Sequence, residues 1–240
     1  MIRYEFLFSD AEPVVFAVDE TASASATEPE APPAWMELSR HRCANCPLPE
    51  GSRKTCPAAL AIGPLLETIG GRISYEPVRL RVQLGETQCE AVLPMQDAVR
   101  SLGGLLIAMS DCPIMSHFRP MAHFHVPFAD SKHTLFRAAG MILIAEYLRN
   151  REGIEAGLSL GGLKALYEQV HRVNDKLAAR IRAATQEDAA INGLIILDTF
   201  ARLAERTVDQ SLADLRGCFS AYLDPDSPVK AKRSEPVKQT

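Results

Sequence analysis

Two stretches of the chain alternate apolar and polar residues with the period of a β-strand. In the first, Ile2, Tyr4 and Phe6 alternate with mostly polar neighbours, and the short run VVFAV follows after SDAEP. In the second, the alternation covers residues 78–84, after which GET turns the chain into QCEAVL. Each pattern predicts a β-hairpin. Two hairpins can join in one small antiparallel sheet, whose apolar face must be covered by helices.

From Met95 onward the apolar spacing becomes that of α-helices. The pattern predicts one helix over 97–108, a second from its N-cap Asp130 to about Tyr147, a third over 161–185, and a fourth after Thr185. The predicted buried residues of the second and third helices are Leu135, Phe136, Ala139, Ile142, Leu143, Leu163, Leu166, Val170, Val173, Leu177 and Ile181. A short helix around SLADLRGCFSAYL is expected to end the fold.

The sequence predicts one α+β domain over residues 1–223, with a small antiparallel sheet from two hairpins packed on a mostly helical C-terminal body. Residues 20–33 are rich in Ala, Ser, Thr, Glu and Pro, which predicts a flexible connection. The segment PAALAIGPLLETIGG predicts a short helix that breaks or restarts at Pro64. Residues 224–240 are expected to form a polar, disordered tail.

Composition narrows the classes of function. The chain has 240 residues, 47% hydrophobic and 23% charged, and a net charge of -4, so neither nucleic acid nor an acidic membrane surface is indicated as a partner. The N-terminus lacks the features of a secretory signal, and no apolar run approaches the roughly 18 residues of a membrane span. We expect a cytoplasmic protein. Motifs for phosphate binding or serine hydrolysis are absent, which disfavours those chemistries.

Three of the six cysteines lie in one loop over residues 40–57, RHRCANCPLPEGSRKTCP. Cys43 and Cys46 have the C-x2-C spacing that presents two sulfurs to one ion on a turn, and Cys56 is a plausible third ligand. Cys112, in the loop sequence DCP, is the best candidate for the fourth ligand. Proline follows three of these four cysteines, as it does at iron–sulfur ligands. In a reducing compartment, such cysteines favour a metal site over disulfides.

A set of four cysteines suits either a structural zinc ion or a [4Fe–4S] cluster. We favour zinc slightly, because the CANCPLPEGSRKTC loop has the length and turns to fold around one small ion. Two alternatives remain: a redox pair formed by Cys43 and Cys46, and thiols without a chemical role. Cys89, in a strand pattern, and Cys218, in a helical pattern, are predicted to be core residues.

The histidines form a second candidate group, in SHFRPMAHFHVPFADSKH. If this segment is extended, His123 and His125 point to one side and can share an ion, or complete the cysteine site. The alternative is that these imidazoles make loop hydrogen bonds, which is also our expectation for His117 and His133. His125, embedded among aromatic and apolar residues, is the leading candidate for a metal ligand or an acid–base group.

Polar residues also occur on otherwise apolar sides of the C-terminal helices. Asn174, Asp188, Asn192 and Asp198 are placed to orient a ligand or a histidine, or simply to satisfy backbone groups. By contrast, a solvated helix face is predicted to carry Arg172, Arg180 and Arg182.

Taken in order, PPAW, CANCPLP, SDCPIMSHFRPMAHFHVPFA, YEQVHRVNDKLAARIRAA and DAAINGLIILDTFA give the chain a resemblance to a family of uncharacterised bacterial proteins of similar size. The resemblance spans nearly the whole chain, and the CxxCPL, Cys-Pro and FHxPFA stretches carry it. It implies a bacterial, cytosolic protein and brings no known activity. In that family the second histidine, here His125, is present, whereas a basic residue often stands at His123, so the resemblance favours His125 alone as a ligand.

Three hypotheses for function follow. The leading one is a metal-binding regulatory or interaction module with Cys43, Cys46, Cys56 and Cys112 as ligands and a possible protein partner. The second is an enzyme in which His125 works on a small substrate beside an iron–sulfur or mononuclear centre. The third is a thiol redox sensor.

Overall fold

The structure is a computed structural model that describes residues 1–20, 28–69, 72–155, 157, 159–184, 192, 195 and 212–228. It contains the two predicted hairpins, formed by β1 (Ile2–Leu7) with β2 (Val14–Val18) and by β3 (Pro77–Leu84) with β4 (Thr87–Pro94). The hairpins join through β1 and β3 into one antiparallel sheet of order β2-β1-β3-β4. The α+β prediction is therefore confirmed.

The sheet buries one face, as the alternation predicted. Tyr4 and Phe6 on β1 and Leu80 on β3 are completely buried, and Tyr4 is paired with Phe16 on one side and with Val82 on the other. The two-residue turn between β3 and β4 begins at Gly85, whose φ of +57° is a backbone conformation that suits glycine at the first position of a type II′ turn.

The described part of the chain also contains the helices α1 (Pro57–Ile69), α2 (Met95–Met109), α3 (Arg119–His123), α4 (Ser131–Arg151), α5 (Gly161–Ala184) and α6 (Ser220–Leu223). Short 3₁₀ turns lie at Ala34–Met36, Met115–Phe118 and Arg216–Phe219. One apolar cluster lies between the sheet and one side of α1 and α2. A second joins the other side of α1 to α4, α5 and the cysteine loop. The candidate site lies in this second cluster.

The predicted break at Pro64 is wrong, because α1 continues through this residue to Ile69. Proline removes one backbone donor and usually kinks a helix. Here the apolar residues on both sides of it, Ile62, Leu65 and Leu66, are buried against the two clusters. Packing along the whole helix outweighs the loss of one hydrogen bond.

Helix α4 begins where it was predicted to begin, with the Asp130 carboxylate accepting a hydrogen bond from the backbone N–H of His133. Its predicted buried side is partly wrong, since Phe136 is 55% exposed and Leu143 is 40% exposed. Apolar residues occur around much of this helix, so their spacing alone does not choose the buried side. The Phe136 ring instead lies 6.3 Å from that of Phe219.

Two further predictions concern cysteines outside the loop. Cys89 is half-buried on the edge strand β4, and Cys218 is exposed, so neither is the core residue that was predicted. Most of the helix predicted after Thr185, including Asp188 and Asp198, lies outside the described residues, as do 21–27 of the predicted connection and 229–240 of the predicted tail. The two described positions within it, Asn192 and Ile195, are helical. Within the described part of the chain, no helix has the length and apolar character needed to cross a membrane.

Candidate metal centre and adjoining cavity

The cysteine loop is held against the segment 36–38 by backbone hydrogen bonds. The N–H of Leu38 donates to the carbonyl of Lys54 at 2.8 Å, and the N–H of Cys56 donates to the carbonyl of Met36 at 2.7 Å. The buried Thr55 hydroxyl donates to Glu28 Oε1 at 2.7 Å. These contacts place Cys56 at a fixed point directly before α1.

The C-x2-C pair forms a turn, as its spacing predicted. The N–H of Cys46 donates to the carbonyl of Cys43 at 3.1 Å. Between them, Asn45 Nδ2 donates to the backbone carbonyl of Gln169 at 3.1 Å and to its side-chain Oε1 at 2.7 Å. Asn45 therefore fastens the turn to α5.

Cys112 reaches the same region from the other side, in the loop after α2. The neighbouring Asp111 forms ion pairs with Arg53 of the cysteine loop at 3.6 Å and with Arg119 at 3.3 Å. Burial raises the pKa of Cys112, and the backbone N–H groups of Met115 and Ile114 oppose this shift. Such donors stabilise a thiolate, which is the form that binds a metal.

All four predicted cysteine ligands lie in or against one apolar cluster. Cys56 and Cys112 are buried in it, and Cys43 and Cys46 pack against it. Burial raises the pKa of Cys43 to about 12, with further contributions from the nearby thiols of Cys56, Cys112 and Cys46. The sulfurs do not yet converge on one point, since no three His, Cys, Asp or Glu side chains of the described residues are arranged to hold an ion. Around zinc they would each lie about 2.3 Å from the metal.

The predicted solvated arginine face is wrong for Arg180, which is 1% exposed, although Arg172 and Arg182 are exposed. Arg180 Nη1 donates to the carbonyls of Trp35 and Glu37 at 2.9 and 2.6 Å, and Nη2 donates to that of Leu38 at 3.3 Å. None of these partners is a carboxylate. These three carbonyls belong to the segment 35–38, against which the cysteine loop is held by backbone hydrogen bonds.

A cavity of about 170 Å³ adjoins this cluster. Its walls come from α2, the loop through α3, α4 and α5, and its polar lining residues include Ser101, His125, Arg137, Tyr167 and Asn174. Met115 and Val170 line the cavity and also belong to the apolar cluster that contains Cys56 and Cys112. The cavity therefore borders the apolar cluster that contains Cys56 and Cys112.

His125 belongs to the cavity. Its Nε2 lies 2.5 Å from the Tyr4 hydroxyl, which lies 2.7 Å from the Ser101 hydroxyl, so the three side chains form a hydrogen-bonded row. Burial, followed by the Arg137 charge, lowers the pKa of His125 to about 4, which keeps its imidazole neutral at neutral pH. We therefore assign His125 to the cavity rather than to the cysteines.

The other histidines occupy ordinary positions. His123 ends α3 and is exposed, so the segment is not extended there and the expectation that His123 and His125 point to one side does not hold. The ring of His117 contacts the Ile114 carbonyl at 3.1 Å, and His133 Nδ1 lies 2.9 Å from Asp130, in line with the predicted loop hydrogen bonds.

His125 should make stability fall at mildly acidic pH. Below its unfolded pKa of 6.5 the unfolded chain binds a proton that the folded protein rejects until about pH 4. The free energy of unfolding should therefore drop by about 2–3 kcal/mol as the pH falls through this window. Urea unfolding at pH 7 and pH 4.5 measures the difference. His125→Gln should remove that part of the pH dependence, and His117→Gln, at an exposed site, should keep it.

Parts of this site have a signal in the sequence. Arg180 lies three positions after Leu177 and seven after Val173, on the apolar side of α5, so its burial was detectable from the helical period. Asn174, predicted to face the interior, is buried. No local pattern brings Tyr4 to His125, because these residues are far apart in the chain and meet only through the packing of the sheet.

Comparisons with known proteins supply a family and no activity. Neither the curated proteins nor the solved structures give a significant match to this chain. The model of one family, described as a domain of unknown function (DUF6901), matches residues 2–220, which confirms the resemblance to an uncharacterised family. The chain therefore belongs to the DUF6901 family.

Proposed function

We propose that the protein is a metal-binding regulatory or interaction module in which Cys43, Cys46, Cys56 and Cys112 ligate a zinc ion or a [4Fe–4S] cluster. The observation that carries the proposal is that these four cysteines, from three separate segments, lie in or against one apolar cluster, Cys56 and Cys112 buried and Cys43 and Cys46 half-buried. Cysteines that served only as small core residues would have no reason to occur together. Here they come from a C-x2-C turn, the start of a helix and a distant loop.

The charges around the cluster support a metal–thiolate centre. Zn²⁺ with four thiolates carries two negative charges, and a [4Fe–4S]²⁺ cluster with four thiolates carries the same. Such a charge in a dry interior requires compensation. Arg180 supplies a buried positive charge that has only carbonyl partners among the described residues, and the backbone N–H groups of Met115 and Ile114 act to lower the pKa of Cys112.

A bound metal would also account for two buried thiols, those of Cys43 and Cys112, whose pKa values are raised. Without a cation, Cys43 and Cys112 stay protonated at neutral pH, because burial and neighbouring thiols oppose their ionisation. A bound metal deprotonates its cysteine ligands. The redox-sensor hypothesis needs the opposite, an attacking thiol whose pKa is lowered, so the raised pKa of Cys43 weighs against it.

An enzyme is the second candidate, and the adjoining cavity is the observation that favours it. The cavity contains a neutral imidazole at His125, and it shares Met115 and Val170 with the cysteine cluster. A neutral histidine is a general base or a hydrogen-bond partner for a small substrate. In this case His125→Ala would keep the metal and the fold and would abolish the activity.

Elemental analysis and a visible spectrum of protein purified without oxygen test the proposal. About one zinc per chain in a colourless protein would identify a structural zinc site. Iron and acid-labile sulfide in a brown protein would make it an iron–sulfur centre. Metal-free protein that melts cooperatively, and that is not stabilised by zinc or by iron–sulfur reconstitution, would refute the proposal.

A further inference from the structure

The cavity beside the cysteine cluster has the charge of an anion site. Two arginines, Arg100 and Arg137, line it, and none of its described lining residues is an aspartate or a glutamate. Arg100 Nε is paired with Asp97 at 3.4 Å. Arg137, half-buried on α4, has no carboxylate partner within the described residues. Its Nη2 donates to the carbonyls of Met121 and Phe124, the second at 2.8 Å.

Asn174 presents an unpaired acceptor at the same cavity. Its side chain is 2% exposed, and its Oδ1 has no hydrogen-bond partner among the described residues. A buried carbonyl oxygen without a donor destabilises a protein, and most such atoms in native proteins are satisfied. An N–H or O–H group of a bound molecule would satisfy it.

Most of the remaining wall is apolar. Phe118, Met121 and Phe128 contribute to it, and ligand cavities are typically lined by apolar and aromatic side chains with a few polar groups. Phe128 adopts a φ of +59°, which is rare and unfavourable for an aromatic residue. Conformations of this kind persist where surrounding contacts impose them, and they concentrate at ligand sites.

We propose that this cavity binds a small organic carboxylate with an apolar or aromatic body, with the carboxylate on Arg137 and a hydroxyl or N–H group of the same molecule on Asn174 Oδ1. The planar guanidinium suits a carboxylate, and its remaining N–H groups have no hydrogen-bond partner within the part of the chain that the structure describes. The neutral His125 imidazole adds a hydrogen-bonding group without a second positive charge. This binding site is independent of whether the cysteine cluster holds a metal.

Titration of the purified full-length protein with a matched set of probes tests this inference, by calorimetry and by NMR chemical-shift changes. The probes are 4-hydroxybenzoate, benzoate, octanoate and the neutral 4-hydroxybenzamide. We expect saturable binding of the carboxylates at one site, with 4-hydroxybenzamide binding about tenfold or more weakly than 4-hydroxybenzoate because it lacks the charge-assisted pair. If no carboxylate saturates the site at millimolar concentrations, or if the amide binds equally well, the inference is wrong.

Variants on one helix locate the site. Arg137→Gln should weaken 4-hydroxybenzoate about tenfold or more and leave 4-hydroxybenzamide unchanged, whereas Arg149→Gln, at an exposed position of the same helix, should change neither. Asn174→Leu should reduce 4-hydroxybenzoate to the affinity of benzoate. Should Arg137→Gln unfold the loop that it supports, as circular dichroism would detect, Arg137→Lys keeps the charge. The assignment would be overturned if Arg137→Gln bound 4-hydroxybenzoate as tightly as the wild type does. It would also be overturned if Arg137→Lys bound 4-hydroxybenzoate and 4-hydroxybenzamide equally well.

Discussion

If Cys112 ligates the proposed metal, replacing it with serine is expected to release the metal and to lower the free energy of unfolding by about 4–5 kcal/mol. Few single substitutions have so large an effect, but loss of a metal or of a buried polar network does. Serine has nearly the shape of cysteine and is a poor ligand for zinc or for a cluster. Because the apo site forms only in the folded chain, the free energy of metal binding is part of the free energy of folding. A buried hydroxyl in place of a thiol without a metal would cost only about 1–3 kcal/mol.

Chemical unfolding, with metal content measured on the same preparations, separates the two explanations. Cys218→Ser, at an exposed position, and Cys89→Ser, on the edge strand, are the matched controls and should keep both metal and stability. A strong chelator should lower the melting temperature of the wild type and leave that of Cys112→Ser unchanged. Equal metal content in Cys112→Ser and wild type would remove Cys112 from the ligand set.

The second large effect is expected at Arg180. Arg180→Met should lower the free energy of unfolding by about 3–5 kcal/mol, because the side chain fits the space but leaves the carbonyls of Trp35, Glu37 and Leu38 without their donors. It should also weaken metal binding, because the negative charge of a metal–thiolate centre then has no buried counter-charge. Urea unfolding and competition with a chromogenic zinc chelator measure the two effects.

Arg182→Met is the matched control, since Arg182 lies two positions further along α5 and is exposed. It should leave stability and metal affinity unchanged. Arg180→Lys keeps the charge and loses the planar fork, so it should retain more metal affinity than Arg180→Met while losing much of the stability. Equal metal affinity in Arg180→Met and wild type would show that the arginine serves the backbone of segment 35–38 alone.

The elements with a strong period were predictable from the sequence, and the contacts between them were not. Alternation at Ile2, Tyr4 and Phe6 identified a strand because a half-buried strand has only two sides. On α4 the apolar residues occupy more than one side, so Phe136 was predicted to be buried and is exposed. The choice of side is made by neighbouring elements, which a local pattern does not contain.

The candidate site shows the same division. The C-x2-C turn followed from its spacing. The sequence also predicted that the cysteine loop lies near the DCP loop, and the Arg53–Asp111 ion pair joins the two. Charged residues were assumed to be solvated, which is usual for arginine and wrong at Arg180. The cavity depends on side chains from four elements, and neither its Tyr4–His125 hydrogen bond nor the unpaired Asn174 oxygen has a sequence signature.

The strand order has a consequence for the sequence of events during synthesis. β1 pairs on one side with β2, a few residues later, and on the other with β3, where Ile2 faces Leu84. The ribosome makes the cysteine loop and α1 before β3, so one edge of β1 stays unpaired until β3 has been synthesised. Pairing β1 with β3 closes a long loop, which slows folding. Cys43, Cys46 and Cys56 leave the ribosome before Cys112, so the cluster closes only after the sheet has been able to form.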